Sequence, residues 1–184
     1  MSGRLVLYFS VYGTAKRVAE EIAFQTGADL QAIEPAVPYD KDRSHYIDLA
    51  RRAQREHDQQ LRPMILTPLS VAPYDEIFLG YPIWCDTVPM ILLTLLEQAD
   101  FSGKTVIPFN THLGARDSGT WQMIREKLPQ SQVLDGLAIE MHDAEVSAPQ
   151  AVSRWLDRLC LAKSSEHSLV CLLYTSPSPR DVEE

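Results

Sequence analysis

Residues 7–21, LYFSVYGTAKRVAEE, decide how the rest of the chain is read. An apolar run from Leu5 to Phe9 stops at a small polar cluster, Ser10, Tyr12, Gly13 and Thr14, and a helical pattern starts at once. In that helix Val18, Ala19, Ile22 and Ala23 form one apolar face. Lys16, Arg17, Glu20 and Glu21 lie mostly away from it, and Gly27 suits a C-cap. A strand that ends in hydroxyls and a glycine where a helix begins has two readings. One is a tight turn with Thr14 as a plain helix cap. The other is an anion site. Gly13 allows a tight backbone path, and the first N–H groups of the helix have no partner within it. With the helix dipole they attract a phosphate without any arginine, and the Ser10 and Thr14 hydroxyls add donors. The loop is not a P-loop, because the G-K-[ST] ending is missing, and it is not the GxGxxG of a dinucleotide site.

Working outward, strand-like and helix-like segments alternate. ADLQAIEP (28–35) is a weak strand that stops at Pro35, and SHYIDLARRAQREHDQQ (44–60) reads as a surface helix capped by Ser44. DEIFLGYP (75–82) and GKTVIPFNT (103–111) are strong strands. Between them Pro89 opens a very apolar helix ending near Gln98. TWQMIREKL (120–128) is a helix, and QVLDGLAIEM (132–141) is the last strand. A final helix starts at SAPQ (147–150), where Ser147 and Gln150 fit a capping box, with Val152, Trp155, Leu156 and Leu159 facing the core. Five strands alternating with helices predict an α/β domain over residues 1–162: a doubly wound parallel sheet with helices on both faces. Such sheets bind ligands beyond the carboxyl ends of their strands. Three loops leave those ends, 10–15, 82–87 and 111–119, and they are the richest in hydroxyl, glycine and aromatic residues. Residues 163–184 carry Ser/Pro punctuation without a helical or strand period, and read as a disordered or non-native tail.

The second loop, GYPIWCDTVP (80–89), sets Trp84 at a strand end, where an indole offers a flat face for stacking on a ring system; the alternative is that Trp84 packs on the domain itself. Cys85 beside it has no lysine or histidine nearby in sequence to activate it. In the third loop, NTHLGARDSG (110–119), Gly114, Ser118 and Gly119 suggest close backbone approach to a ligand. His112 is a candidate donor or a solvated histidine, and Ser118 a candidate N-cap.

The chain has 184 residues, a net charge of −8 and a pI of about 5.1, which argues against a nucleic-acid binder. Its three cysteines, Cys85, Cys160 and Cys171, are far apart, and no zinc spacing is present. VPMILLTLL (88–96) is too short for a bilayer, which needs roughly 20 residues, and no signal peptide is visible, so a cytoplasmic setting is expected.

At its three loops the sequence resembles the flavodoxin family. It is most similar to a branch written roughly as YFSxTGNT, then GFPIWW with a proline-led helix, then PFxTSGGSG. The matching stretches are YFSVYGTAKRVAEEIA, YDEIFLGYPIWCDTVPMILLTLLEQADFSGKTVIPFNTHLGARDSG and RPMI. The resemblance spans about residues 4–160 and implies sheet order 2-1-3-4-5 and noncovalent FMN. On that mapping Ser10, Tyr12, Gly13, Thr14 and Ala15 hold the phosphate. Pro82, Ile83, Trp84 and Cys85 line the isoalloxazine, and Thr111, His112, Leu113, Gly114 and Ser118 close the other side. Tyr12 and Ala15 depart from the threonines usual in the branch, and THLGARDSG replaces a loop richer in glycine and serine.

Three functions follow from this resemblance. The first is an FMN electron carrier, monomeric or weakly dimeric, serving redox partner proteins. The second is an FMN-dependent NAD(P)H:quinone-type oxidoreductase, for which the apolar helix Pro89–Leu96 is a candidate dimer face. The third is a binding module without flavin. A phospho-receiver domain on the same fold is disfavoured, since Tyr8 and Ser10 stand where it needs clustered carboxylates.

Overall fold

The structure, a computed structural model, describes residues 3–161. The expected tail, with Cys171, lies outside the described residues. β1 (Arg4–Tyr8) and α1 (Thr14–Thr26) form the strand–turn–helix read from residues 7–21. They are followed by β2 (Asp29–Ala32), α2 (Tyr46–Asp58), β3 (Glu76–Pro82), α3 (Met90–Gln98), β4 (Thr105–His112) and α4 (Thr120–Lys127). β5 (Gln132–Val133), β6 (Leu137–Glu140) and α5 (Met141–Arg158) complete the described chain. All pairings are parallel, in the order β2-β1-β3-β4-β5, with β6 also on β4. This is the expected 2-1-3-4-5 order.

The fifth sheet position is filled by two short strands instead of the single one predicted over 132–141. The cause is Pro108. Val106 accepts a hydrogen bond from Leu134 N at 3.0 Å on that edge. Strand alternation turns Pro108 to the same edge, where it has no N–H to donate. The ladder breaks there and resumes at Phe109–Leu137. Gly136 sits in the break, where a Cβ would lie 2.3 Å from the Pro108 carbonyl oxygen.

Because β1, β3 and β4 are covered on both sides, alternate residues feed two cores. Leu5, Leu7, Ile77, Leu79 and Tyr81 pack with α3, Leu49 of α2 and Ile124 of α4. Val6, Phe78, Ile107 and Phe109 pack with Val18 and Ile22 of α1 and Val152 and Trp155 of α5. In α3 every residue from Met90 to Leu96 is buried, so this helix is core within the chain and its apolar face is already used.

Two caps differ from expectation. Ahead of α2 the capping side chain is Asp42, whose carboxylate accepts from Ser44 N at 2.9 Å and starts a short 3₁₀ turn, Arg43–His45. Ser147 has non-helical φ −131 and ψ 19, so a helical segment does start after it as expected, but α5 already runs helically over the six residues before it. The Ser147 hydroxyl donates back to the Asp143 carbonyl at 3.0 Å, and Pro149 lies inside the helix, so the segment kinks at Ser147 where a capping box was expected.

Candidate functional site

A cavity of about 390 Å³ opens at the carboxyl ends of β1, β3 and β4, within the size range of small-molecule sites. The three predicted loops meet there. Ser10, Tyr12, Thr14 and Ala15 from the first, Pro82, Ile83 and Trp84 from the second, and Thr111, His112 and Leu113 from the third all line it. Gly13, Cys85, Gly114 and Ser118 are in the same loops but off the cavity wall.

The first loop is built around Gly13, which takes φ +88 and ψ −7, a left-handed conformation that favours glycine. Its N–H donates to Ser10 Oγ at 3.1 Å, and its carbonyl accepts the first α1 bond, from Arg17 N at 3.0 Å. The N–H groups of Thr14, Ala15 and Lys16 precede that bond and have no intrahelical acceptor. No side chain caps them, and the first turn holds no acidic residue. Thr14 is buried, yet its Oγ1 has no partner among the described residues, so the simple cap reading of Thr14 does not describe its hydroxyl. An orphaned buried hydroxyl costs about 1–3 kcal/mol. Here it lies on the wall of a cavity at a helix start whose first N–H groups are uncapped, an arrangement that fits an oxyanion. Thr14→Val is therefore expected to leave the melting temperature of the ligand-free protein unchanged or raised, while affinity for the FMN that the sequence resemblance implies falls about tenfold. Parallel thermal melts and flavin titrations check this, and a variant that melts lower while binding FMN normally contradicts it.

In the second loop Trp84 and Thr87 exchange backbone hydrogen bonds of 3.0 and 2.9 Å around Cys85 and Asp86. Both central residues have positive φ, 51° and 55°, as a tight two-residue turn of the primed kind requires. The turn directs the Cys85 thiol away from the cavity wall. Burial, then Asp58 and Asp86, pushes that thiol up, which holds it protonated and unreactive. Trp84 packs on the domain itself, edge-on against Phe9 and Tyr39 with ring centroids 5.2 and 5.3 Å away, and it also lines the cavity.

Tyr39 is in turn fixed by a buried network. Its hydroxyl donates to Glu56 Oε2 at 2.6 Å, and Arg52 Nε donates to Glu56 Oε1 at 2.9 Å. The Arg52 guanidinium lies 3.8 Å from the Tyr39 ring centroid and binds the carbonyls of Val37 and Pro38. Burial and the hydrogen bond to Glu56 push the Tyr39 phenol far up, so it remains a donor. The polar sequence of 44–60 reads as a surface helix and gives no sign of this support.

The third loop turns largely on itself. Ser118 Oγ donates to the Ala115 carbonyl at 3.2 Å, and Asp117 Oδ2 accepts from Gly119 N at 3.2 Å. The residue capping α4 is Gly119, not Ser118. His112 is buried on the cavity wall, and its Nδ1 accepts from Gly114 N at 3.0 Å. A neutral imidazole so held carries its proton on Nε2 and offers it as a donor.

Six lining residues were not singled out by sequence: Val11, Arg43, Tyr46, Leu49, Ala115 and Met141. Tyr46, Leu49 and Ala53 follow the i, i+3, i+7 spacing of an inner helix stripe, a signal present in the sequence. Arg43 carries no such signal; only the fold brings it to the first loop. Among the described residues no group of His, Cys, Asp and Glu is placed to hold a metal, and no helix is long and apolar enough to cross a membrane.

Comparison with known proteins agrees with this geometry. The family profile described as Flavodoxin matches residues 3–159. A crystal structure from Bacteroides uniformis, of a protein provisionally named a flavoprotein, is 31% identical with a TM-score of 0.75, covering 85% of this chain and 98% of that one. A flavoprotein from Lactobacillus acidophilus, crystallised in complex with FMN, is 22% identical with a TM-score of 0.63, covering 82% and 99%; at that identity the likeness is one of fold. A curated relative, NAD(P)H dehydrogenase (quinone) from Gluconacetobacter diazotrophicus, is 26% identical over 152 residues, 74% of this chain and 71% of that protein. With the sheet order, the loop cluster and the family match in agreement, the chain belongs to the flavodoxin family.

Proposed function

We propose that the protein binds FMN in this cavity and carries electrons between partner proteins. The observation that carries the reading is the Gly13 turn, with three open N–H groups and the unpartnered Thr14 hydroxyl on the wall of a cavity that also presents Trp84. Ser10, Thr14 and the backbone of residues 13–16 are the phosphate holders in this account, and Trp84, Ile83, Leu113 and the His112 Nε2–H border the ring. Bound FMN supplies the one- and two-electron chemistry. The chain binds it, orients it and sets its field. Asp86 is the one carboxylate lining the cavity, and on a protein of net charge −8 it disfavours added negative charge on the ring and repels the phosphates of NAD(P)H. Asp117 of the third loop is not on the cavity wall.

A second reading, an FMN-dependent NAD(P)H:quinone oxidoreductase, is favoured by the name of the curated relative and by Arg43, a cation in the cavity that could receive a dinucleotide phosphate. The purified protein is expected to be yellow and to release FMN on denaturation; a colourless protein that takes up no added FMN supports a flavin-free module instead. Stopped-flow mixing of the FMN-loaded protein separates the first two. The carrier reading expects slow bleaching by NADPH alone and faster bleaching through a flavoprotein reductase, at a rate that falls as salt rises. Complete bleaching by NADH or NADPH within about a second, as ordinary enzyme turnover allows, overturns it in favour of the oxidoreductase.

A further inference from the structure

We infer that Arg43 is a recognition residue for the phosphate of the cofactor, held by Glu145 until that phosphate arrives; this rests on the FMN reading above. Arg43 is the only lysine or arginine among the residues lining the cavity. Its guanidinium carbon lies 5.5 Å from the centroid of the Tyr12 ring, and its Nη2 is 3.7 Å from Glu145 Oε1. Tyr12 belongs to the turn that presents the open N–H groups of α1. The guanidinium therefore stands beside the Tyr12 ring, on the wall of the cavity that Thr14 and Ala15 also line.

The loop bearing Arg43 is tied in place. Asp40 Oδ1 accepts from Asp42 N at 2.8 Å, Asp40 Oδ2 meets His45 Nδ1 at 2.6 Å, and Asp42 starts the 3₁₀ turn that contains Arg43. These bonds fix the backbone and leave only the side chain to swing. The pair with Glu145 is long and exposed, at 62% and 47% of the two side chains, and such pairs contribute little to stability. A phosphate monoester brings nearly two negative charges and three acceptor oxygens, which a planar guanidinium meets with paired donors. Exchange of the Glu145 carboxylate for a phosphate thus gains charge and geometry at small cost. The helix start supplies only partial positive charge, and Tyr12 and Ala15 stand where the related branch carries hydroxyls. A full cation at this position offsets both.

Titration of the cofactor-free protein with FMN and with riboflavin tests the assignment, using the flavin fluorescence and the variants R43Q, R43K and E145Q. R43Q is expected to weaken FMN about tenfold and to leave riboflavin within about twofold. R43K is expected to recover part of the loss, since it restores charge without the paired donors. E145Q is expected to tighten FMN by about threefold with riboflavin unchanged, and the preference for FMN is expected to decline with salt more in the unmodified protein than in R43Q. Equal loss of both flavins in R43Q overturns the inference, because Arg43 then only packs on Tyr12. An unchanged ratio of the two affinities overturns it too, including the case in which R43Q raises only the KM for NADPH and so assigns Arg43 to the dinucleotide. Failure of the unmodified protein to bind FMN at all removes the cofactor reading itself, a result distinct from those two.

Discussion

Gly13→Val is expected to lower FMN affinity by at least about a hundredfold while the domain stays folded. Gly13 has φ +88, and a Cβ there would meet nothing within 4 Å, so the effect is backbone strain and not a clash with the protein. An L-residue held in the left-handed region costs about 1–2 kcal/mol, and a β-branched one more. That is small beside the roughly 5–15 kcal/mol that holds a domain of this kind together. The variant is expected to relieve the strain by leaving the left-handed region, which moves the Gly13 N–H off Ser10 Oγ and its carbonyl off Arg17 N. The N–H groups of Thr14 to Lys16 then no longer converge. Gly13→Asn is the control, since asparagine tolerates this conformation, and it is expected to keep most of the binding. Circular dichroism and flavin titration of both variants provide the check. FMN bound equally well by Gly13→Val would separate the turn from the cofactor.

Gly80→Ala is expected to destabilise the domain by about 2–4 kcal/mol, and so to lower the melting temperature by about 5–15 °C. Gly80 lies in β3 directly opposite Phe109 of β4, and a Cβ there would be 2.1 Å from Phe109 Cζ. Phe109 is fully buried in the α1/α5 core, with no free space to rotate into, so the ring and its neighbours must shift together. Gly103 is the contrast: a Cβ at this glycine meets nothing within 4 Å, and only its φ of +72 resists substitution. Thermal or urea unfolding of Gly80→Ala and Gly103→Ala reads the difference, and equal stability of the two variants contradicts the packing account. Pro82 follows Gly80 by two residues, so loss of flavin is expected to accompany any loss of fold in Gly80→Ala.

The strand–helix alternation was legible because β1, β3 and β4 are buried on both faces and their sequences are continuous apolar runs. The break between β5 and β6 was not, since it depends on which edge of β4 Pro108 faces, and the alternation of one strand shows that only beside its neighbour. The kink in α5 was misread for a similar reason. Ser147 and Gln150 have capping-box spacing, but the preceding Met141–Val146 turns are themselves helical, and Ser147 bonds backward to Asp143.

The loops of the site were legible as loops, because Ser10 and Gly13, Pro82, and Thr111 and Gly114 end strong strands. Which of their side chains reach the cavity was decided by turn geometry. Cys85 turns away in a tight turn, and Ser118 bonds within its own loop. Arg43 and the Arg52–Glu56–Tyr39 network behind Trp84 come from a segment whose polarity resembles solvated surface. Their role depends on contacts across the fold that no local pattern encodes.

In the proposed complex the phosphate of FMN sits at the start of α1 while its ring sits by Trp84. The most direct measurement is a pair of amide NMR titrations of the isotope-labelled, cofactor-free protein, one with FMN and one with riboflavin. The account predicts that both ligands shift the Trp84 indole N–H and the backbone amides of loops 82–87 and 111–114. Only FMN should shift the amides of Thr14, Ala15 and Lys16. FMN binding that leaves those three amides where riboflavin leaves them would contradict it.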